Sequence, residues 1–179
     1  MVTTKEKEKI DMQAMMKTYK ELGTPGPQHK LLAKFAGNWS AKVKNWVDPD
    51  KPPVESVGKS ENKMIYEGRY LQGIETGEMM GAPSSGTGVT GYDNNSKQFV
   101  SIWYGSMSTG IYFFQGSASA DNKSITMESQ QFNDPFKGPM MYRYVLNLIN
   151  DNSYTFEMSS IDQAGKEQKF MEASYTREK

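Results

Sequence analysis

From residue 38 to residue 177 the chain runs in short stretches that alternate apolar and polar positions with a period of two. These stretches are 38–47, 56–66, 69–79, 86–92, 98–104, 110–117, 123–132, 140–149, 153–161 and 166–177, each rich in β-branched or aromatic residues. They predict about ten strands. Turn chemistry separates them: Asp48-Pro49-Asp50, Glu67-Gly68, Asp93-Asn94-Asn95, Asp121-Asn122, Asp134-Pro135, Asp151-Asn152 and Gln163-Ala164-Gly165. Links this short favour an up-and-down antiparallel order. About ten such strands with no helices between them close on themselves and so lose their exposed edges. Before them, residues 5–22 carry Ile10, Met12, Met15, Met16, Tyr19 and Leu22 at helical spacing among lysines and glutamates, which predicts one amphipathic helix. Gly23-Thr24-Pro25-Gly26-Pro27-Gln28 stops it, and a short helical turn over His29 to Phe35 follows. The prediction is an all-β chain: a single antiparallel barrel over 25–179, behind an N-terminal helix and linker over 1–24.

The parity of the polar residues describes the inside. In 56–66 the odd positions Lys59, Glu61 and Lys63 are charged and face water, which turns Ser56, Gly58, Ser60, Asn62, Met64 and Tyr66 inward. In 38–47 Lys42 and Lys44 face out, so Trp39, Ala41, Val43, Asn45 and Val47 face in. The last stretch conflicts with itself. Met171, Ala173 and Tyr175 put odd positions inside, Phe170 contradicts them, and Lys169 is then expected at a rim. A solid core does not choose Asn45, Ser60 and Asn62 for inner faces, because unpaired buried polar groups are costly. A barrel with a partly wet cavity does.

Composition narrows the chemistry. The 179 residues suit one domain. Lys+Arg and Asp+Glu are 21 each, so no excess of positive charge points to nucleic acid. There is no cysteine and one histidine, which leaves His29 as the only nitrogen ligand for a transition metal or haem; no metal and no cofactor is expected. Met1 to Met16 has no apolar core of a signal peptide, and no run approaches a membrane span, so the expected location is cytoplasmic.

With Gly37-x-Trp39 opening the first strand and Arg177 closing the last, the chain resembles the calycins, the lipocalin, fatty-acid-binding and nitrobindin-like group of barrels. That resemblance implies structural roles: Gly37 ahead of the tryptophan, Trp39 lying across a closed end, and Arg177 packing over it. More closely, the chain resembles the bacterial DUF1579 family. The segments that carry this are 25–39 (PGPQHKLLAKFAGNW), 67–71 (EGRYL), 79–83 (MMGAP), 90–94 (TGYDN), 107–111 (MSTGI), 133–135 (NDP), 156–158 (FEM) and 165–177 (GKEQKFMEASYTR). The resemblance implies a fold and little function. It departs from the family's usual Pro-Phe-Glu-Gly at Pro83-Ser84-Ser85-Gly86, and from Trp-x-Asp-Asn-Met at Trp103-Tyr104-Gly105-Ser106-Met107. An aromatic and two acidic positions are small here, so an activity resting on those acids does not carry over.

Several candidates can be weighed from the residues. Gly81 to Gly91 imitates a phosphate loop but lacks the Lys-Ser/Thr and a following helix; a strand with tight bends is the better reading. His29 can cap a pocket or serve as a base, against a packing role at the closed end. Methionines at 64, 79, 80, 107, 127, 140, 141, 158 and 171 suit an adaptable apolar cavity or plain core filling. Trp103, Tyr66, Tyr104, Tyr112, Tyr142 and Tyr144 can add aromatic walls. Arg69 and Arg143 are the candidate anchors for a ligand carboxylate, against ion pairs with Glu67, Glu75 or Glu157 or a surface place. For acid–base work Glu75, Glu157 and Tyr142 are available, and spacing selects none of them.

Three readings of function follow. The first is a binding module that holds a small hydrophobic ligand, carboxylated in one variant, among Asn62, Met64, Tyr66, Arg69, Trp103, Met107, Tyr142, Arg143 and Met158. The second is a cofactor-independent enzyme, an isomerase, cyclase or hydratase, working in the same cavity, since one fold hosts both roles. The third is a filled barrel whose N-terminal helix makes a homo-oligomer.

Overall fold

The computed structural model describes residues 11–79 and 81–179, so Ile10 and Met80 lie outside the described residues. Helices α1 (Met12–Leu22) and α2 (Pro27–Ala33) precede β1 (Gly37–Asn45), β2 (Val54–Ile65), β3 (Tyr70–Met79), β4 (Ala82–Asp93), β5 (Gln98–Gly105) and β6 (Tyr112–Ala118). The chain continues through β7 (Ser124–Ser129), β8 (Phe132–Asp134), β9 (Gly138–Asn150), β10 (Ser153–Asp162) and β11 (Glu167–Arg177). Consecutive strands pair antiparallel except β7 and β8, which both pair with β9, and β1 pairs with β11, so ten strands close an all-β barrel. The short β8 continues β7 along the same edge of β9 with its register offset by one: Glu128 is opposite Arg143, and Phe132 is opposite Met140. The irregularity is held by Ser129, whose hydroxyl accepts the Tyr142 N–H at 2.8 Å.

The alternation read from the sequence governs the inner face of β1 through Asn45 and of β2 through Met64. Two expected inward residues do not turn in. Val47 lies beyond the end of β1 and is exposed, and Tyr66 stands at φ +49° beside Glu67 at φ +57° in the β2–β3 turn, where strand parity no longer applies. The conflict in the last strand is a β-bulge. Met158 pairs with Met171 and Ser159 with Lys169, so Phe170 has no partner and the parity of β11 switches there. Phe170 and Met171 therefore both face the interior. Lys169 belongs to the outer wall, not a rim, where it bonds Glu172 at 2.8 Å and approaches Glu157 at 3.7 Å.

One end of the barrel is shut by α2 and the turn after it. His29, Leu31, Leu32 and Phe35 are buried there against Trp39, which has no exposed surface. The Trp39 indole N–H donates to the Phe35 carbonyl at 3.0 Å. The Arg177 guanidinium lies 4.0 Å from the Trp39 ring centroid and donates to the carbonyls of Ala36, Lys34 and Asp151. It thereby satisfies carbonyls that the end of α2 leaves free, while stacking on the tryptophan. Gly37 is required between them: at φ +130° it adopts a backbone that L side chains avoid, and a Cβ would run into the guanidinium.

Helix α1 buries none of its residues, and α2 performs the closure. The segment after α1 is tied to the closed end by Asn94, which donates to the carbonyls of Leu22 and Thr24, and by Arg69, which donates to that of Gly23. No helix among the described residues is long and apolar enough to cross a membrane.

Candidate ligand cavity

The alternation of β1 to β11 leaves a cavity of about 500 Å³ inside the barrel. Its room comes from residues without side chains. On β4 Gly86 and Gly88 face inward, and the Trp103 ring from β5 lies against them; a Cβ at Gly86 would occupy the space of the indole. Gly73 opens the wall in the same way for the Asn62 side chain. The stretch that imitates a phosphate loop is thus strand β4, and its glycines make space for an aromatic ring.

The walls are mostly apolar and aromatic. Tyr112, Tyr142 and Phe170 form one cluster, with Tyr142 5.9 Å and 5.4 Å from the other two rings. Tyr144 and Phe156 form another, 5.4 Å apart. Met79, Met107, Met158 and Met171 add flexible surface. Towards the mouth, Ser85 and Ser106 tie β4 to the loop after β5, the Ser85 N–H donating to the Ser106 hydroxyl at 3.0 Å. Among the described residues no lysine, arginine or histidine lines this space.

Polar groups gather deep inside, close to Trp39. Glu75 on β3 stands opposite Ser60 on β2, their side chains 2.7 Å apart, and the Ser60 hydroxyl is also 2.9 Å from the Asn62 amide oxygen. The Asn62 amide nitrogen donates to the Phe35 carbonyl at 3.0 Å, and the Tyr175 hydroxyl lies 3.4 Å from the other Glu75 oxygen. Tyr154 stacks on Tyr175 with ring centroids 4.3 Å apart. Glu75 is half-buried by surface area, but it lines the cavity and is densely surrounded by protein. Burial pushes its carboxyl up to about 7, against the opposing effect of the Ser60 and Tyr175 hydrogen bonds. Burial likewise raises the phenols of Tyr142 and Tyr144 to about 12, and moves those of Tyr154 and Tyr175 further still.

Of the residues expected at a site, Asn62, Trp103, Met107, Tyr142 and Met158 line this cavity. Four do not. Met64 packs against the core near the closed end, and Tyr66 is 74% exposed in its turn. Arg69 is outside the barrel, bound to Glu67 at 2.8 Å and to backbone carbonyls. Arg143 belongs to the outer face of β9, where Glu128 at 2.7 Å and Glu167 hold it. Neither arginine is placed to anchor a carboxylate in the cavity: strand parity turns Arg143 outward, and Arg69 lies before β3 begins. Glu157 is on the outer wall as well. His29 caps its own helix, its Nδ1 accepting the Gly26 N–H at 3.0 Å, and burial lowers its basicity.

The Glu75 cluster was only half visible in the sequence. Ser60 and Asn62 were placed inside by parity, whereas Glu75 stood among three undistinguished acids. The signal that singles it out is that it pairs across strands with an inward serine. A second depression of about 370 Å³ lies outside the barrel between α2 and the turns at Asn122 and Asn150; it is open, with lysines at its rim.

A family model described as "Protein of unknown function (DUF1579)" matches residues 24–177. Among solved structures, Rv2717c from M. tuberculosis is similar in fold, with a TM-score of 0.62 and 15% identity over 87% of this chain and 100% of that one. The S-type phycobiliprotein lyase CPES from Guillardia theta is similar too, with a TM-score of 0.59 and 9% identity over 89% of this chain and 97% of that one. No curated protein sequence matches the chain.

Proposed function

The chain belongs to the DUF1579 family, and from its own geometry we propose that it binds a small, largely apolar ligand inside the barrel. One observation carries this reading: the interior is an aromatic and methionine-lined space of about 500 Å³ with its polar groups collected at one deep point. Pockets for small molecules have this form, a mostly apolar wall with a few convergent polar groups that orient the guest. Trp103, Met107, Tyr142 and Met158 supply the wall, and Asn62 with Glu75 the orienting end.

Native mass spectrometry of protein purified from its own host is the test. An adduct of about a few hundred daltons, the size such a cavity holds, is the expected result. Val43→Trp, which grows an indole into the space, is expected to remove the adduct and leave the far-UV circular dichroism unchanged. An adduct that survives this filling is bound elsewhere and overturns the reading.

Glu75 supports a second reading, a cofactor-independent enzyme. A carboxyl that titrates near neutrality in a mostly apolar cavity is suited to general acid–base work. It can give its proton to one position of an unsaturated guest and recover one from another, which isomerises the guest with no net change at the enzyme. The barrel leaves this open, since the neighbour CPES is a lyase and one fold hosts both roles. Recovery of an isomerised ligand by the wild type, and of unchanged ligand by Glu75→Gln, is the outcome that favours catalysis.

A further inference from the structure

Resting on the reading that the barrel holds a small ligand, we propose that the cavity selects guests with a neutral oxygen, an alcohol or a carbonyl, and rejects carboxylates. The ground is that no cation lines the cavity among the described residues and that Glu75, at its deep end, is kept as a carboxylic acid. The Asn62 amide is oriented by Phe35, whose carbonyl accepts only and so faces the amide nitrogen. The Asn62 oxygen therefore points at the Ser60 hydroxyl, 2.9 Å away, and it has no proton to give. The Tyr154 hydroxyl reaches both Ser60 and Asn62 as well, so the Asn62 oxygen can take its proton from either hydroxyl. The 2.7 Å contact between Ser60 and Glu75 is therefore open to a proton on either side, and a cavity without a facing cation favours the protonated carboxyl.

With the carboxyl protonated, donors run one way: Glu75 to Ser60, Ser60 to Asn62, and Asn62 to the Phe35 carbonyl, which Trp39 also serves.

The groups around the carboxyl agree. Ser60 and Asn62 face it from β2, Tyr175 from β11 and Tyr154 from β10, while β4 offers only Gly86. Glu78 lies further along β3 towards the mouth, and Arg177 is behind Trp39. No cation faces Glu75 from these elements. A guest carboxylate would meet neither a positive partner nor a free row of donors, so its desolvation is uncompensated. An alcohol or carbonyl costs far less to bury and finds the Tyr175 hydroxyl, whose 3.4 Å contact with Glu75 is long enough to be exchanged.

The test uses the full chain and three probes with one tail: octanol, octanoate and octylamine. Binding is read by calorimetry and by tryptophan fluorescence, to which Trp103 reports. At pH 6 octanol is expected to bind more tightly than octanoate by about tenfold or more, the factor that roughly 1.4 kcal/mol of unpaired charge produces. In Glu75→Gln, whose amide can donate to Ser60 as the acid does, this preference is expected to persist. Octanoate binding as well as octanol overturns the selectivity and leaves the ligand reading intact. Octylamine binding most tightly overturns it in favour of an ionised Glu75. Binding of none of the three overturns the apolar-ligand reading along with it. The side-chain carboxyl resonance of Glu75, followed by carbon NMR in the free wild-type protein, needs no ligand and no variant. Titration in the ordinary glutamate range would overturn the proton assignment.

Discussion

The closed end of the barrel sets Trp39 under an arginine that satisfies three carbonyls, whereas the open end leaves Met107, Ile111 and Phe136 in solvent on loops between strands. Phe136 is 93% exposed and Trp39 not at all. The two ends thus differ in construction: one is packed and cross-linked by hydrogen bonds, and the other is left open. The candidate site belongs to both. Its apolar wall reaches the mouth, but its polar groups hang from the rigid end, because the Phe35 carbonyl that orients Asn62 is the one that receives the Trp39 indole. Precise placement of a polar group needs such support from locked neighbours.

Truncating the closed end gives the largest effect. Trp39→Ala removes a fully buried ring and frees both Arg177 and the Phe35 carbonyl, so a loss of about 3–5 kcal/mol is expected in denaturant unfolding. A loss below about 1 kcal/mol, the ordinary effect of a substitution, would mean that this end is not the structural one.

Glu75 sharpens the comparison from the middle of the barrel. Its carboxyl titrates near 7 when folded, against 4.5 in the reference state, so between those values the folded chain binds the additional proton. Stability from this group is fully present below about pH 4.5 and is lost as pH rises through about 7. The total is on the order of 3 kcal/mol. Glu75→Gln cannot ionise, and is therefore expected to unfold at a higher temperature than wild type at pH 8 and to show no advantage at pH 5. Melting curves at the two values check this; an identical pH slope in both proteins would remove Glu75 from the account.

Most of the barrel was legible because period-two alternation and turn residues are local signals, and the ten strands, their order and the inner parity of β1 and β2 came from them. What escaped depends on interactions between strands. The bulge at Phe170 is a shift of register against β10, and a sequence shows it only as a conflict between Phe170 and Met171. Arg143 reads as a cavity residue until its position opposite Glu128 turns it outward. Glu75 becomes distinct only through its pairing with Ser60, and cross-strand pairing is not written in either segment alone.

The smallest effect is expected at the mouth, and it separates access from stability. Met107 belongs to the wall at the mouth and is half exposed, so it touches a guest while little of the barrel's packing rests on it. Met107→Ala is expected to change unfolding free energy by no more than about 0.5 kcal/mol, the ordinary result for a surface position. Its effect belongs in kinetics, because differences between related complexes lie mostly in dissociation rates. Stopped-flow fluorescence from Trp103 should show a bound alcohol leaving a few-fold faster from the variant, at a nearly unchanged association rate. If Met107→Ala instead lowers stability as Trp39→Ala does, the open end is as structural as the closed one, and the division between them is lost.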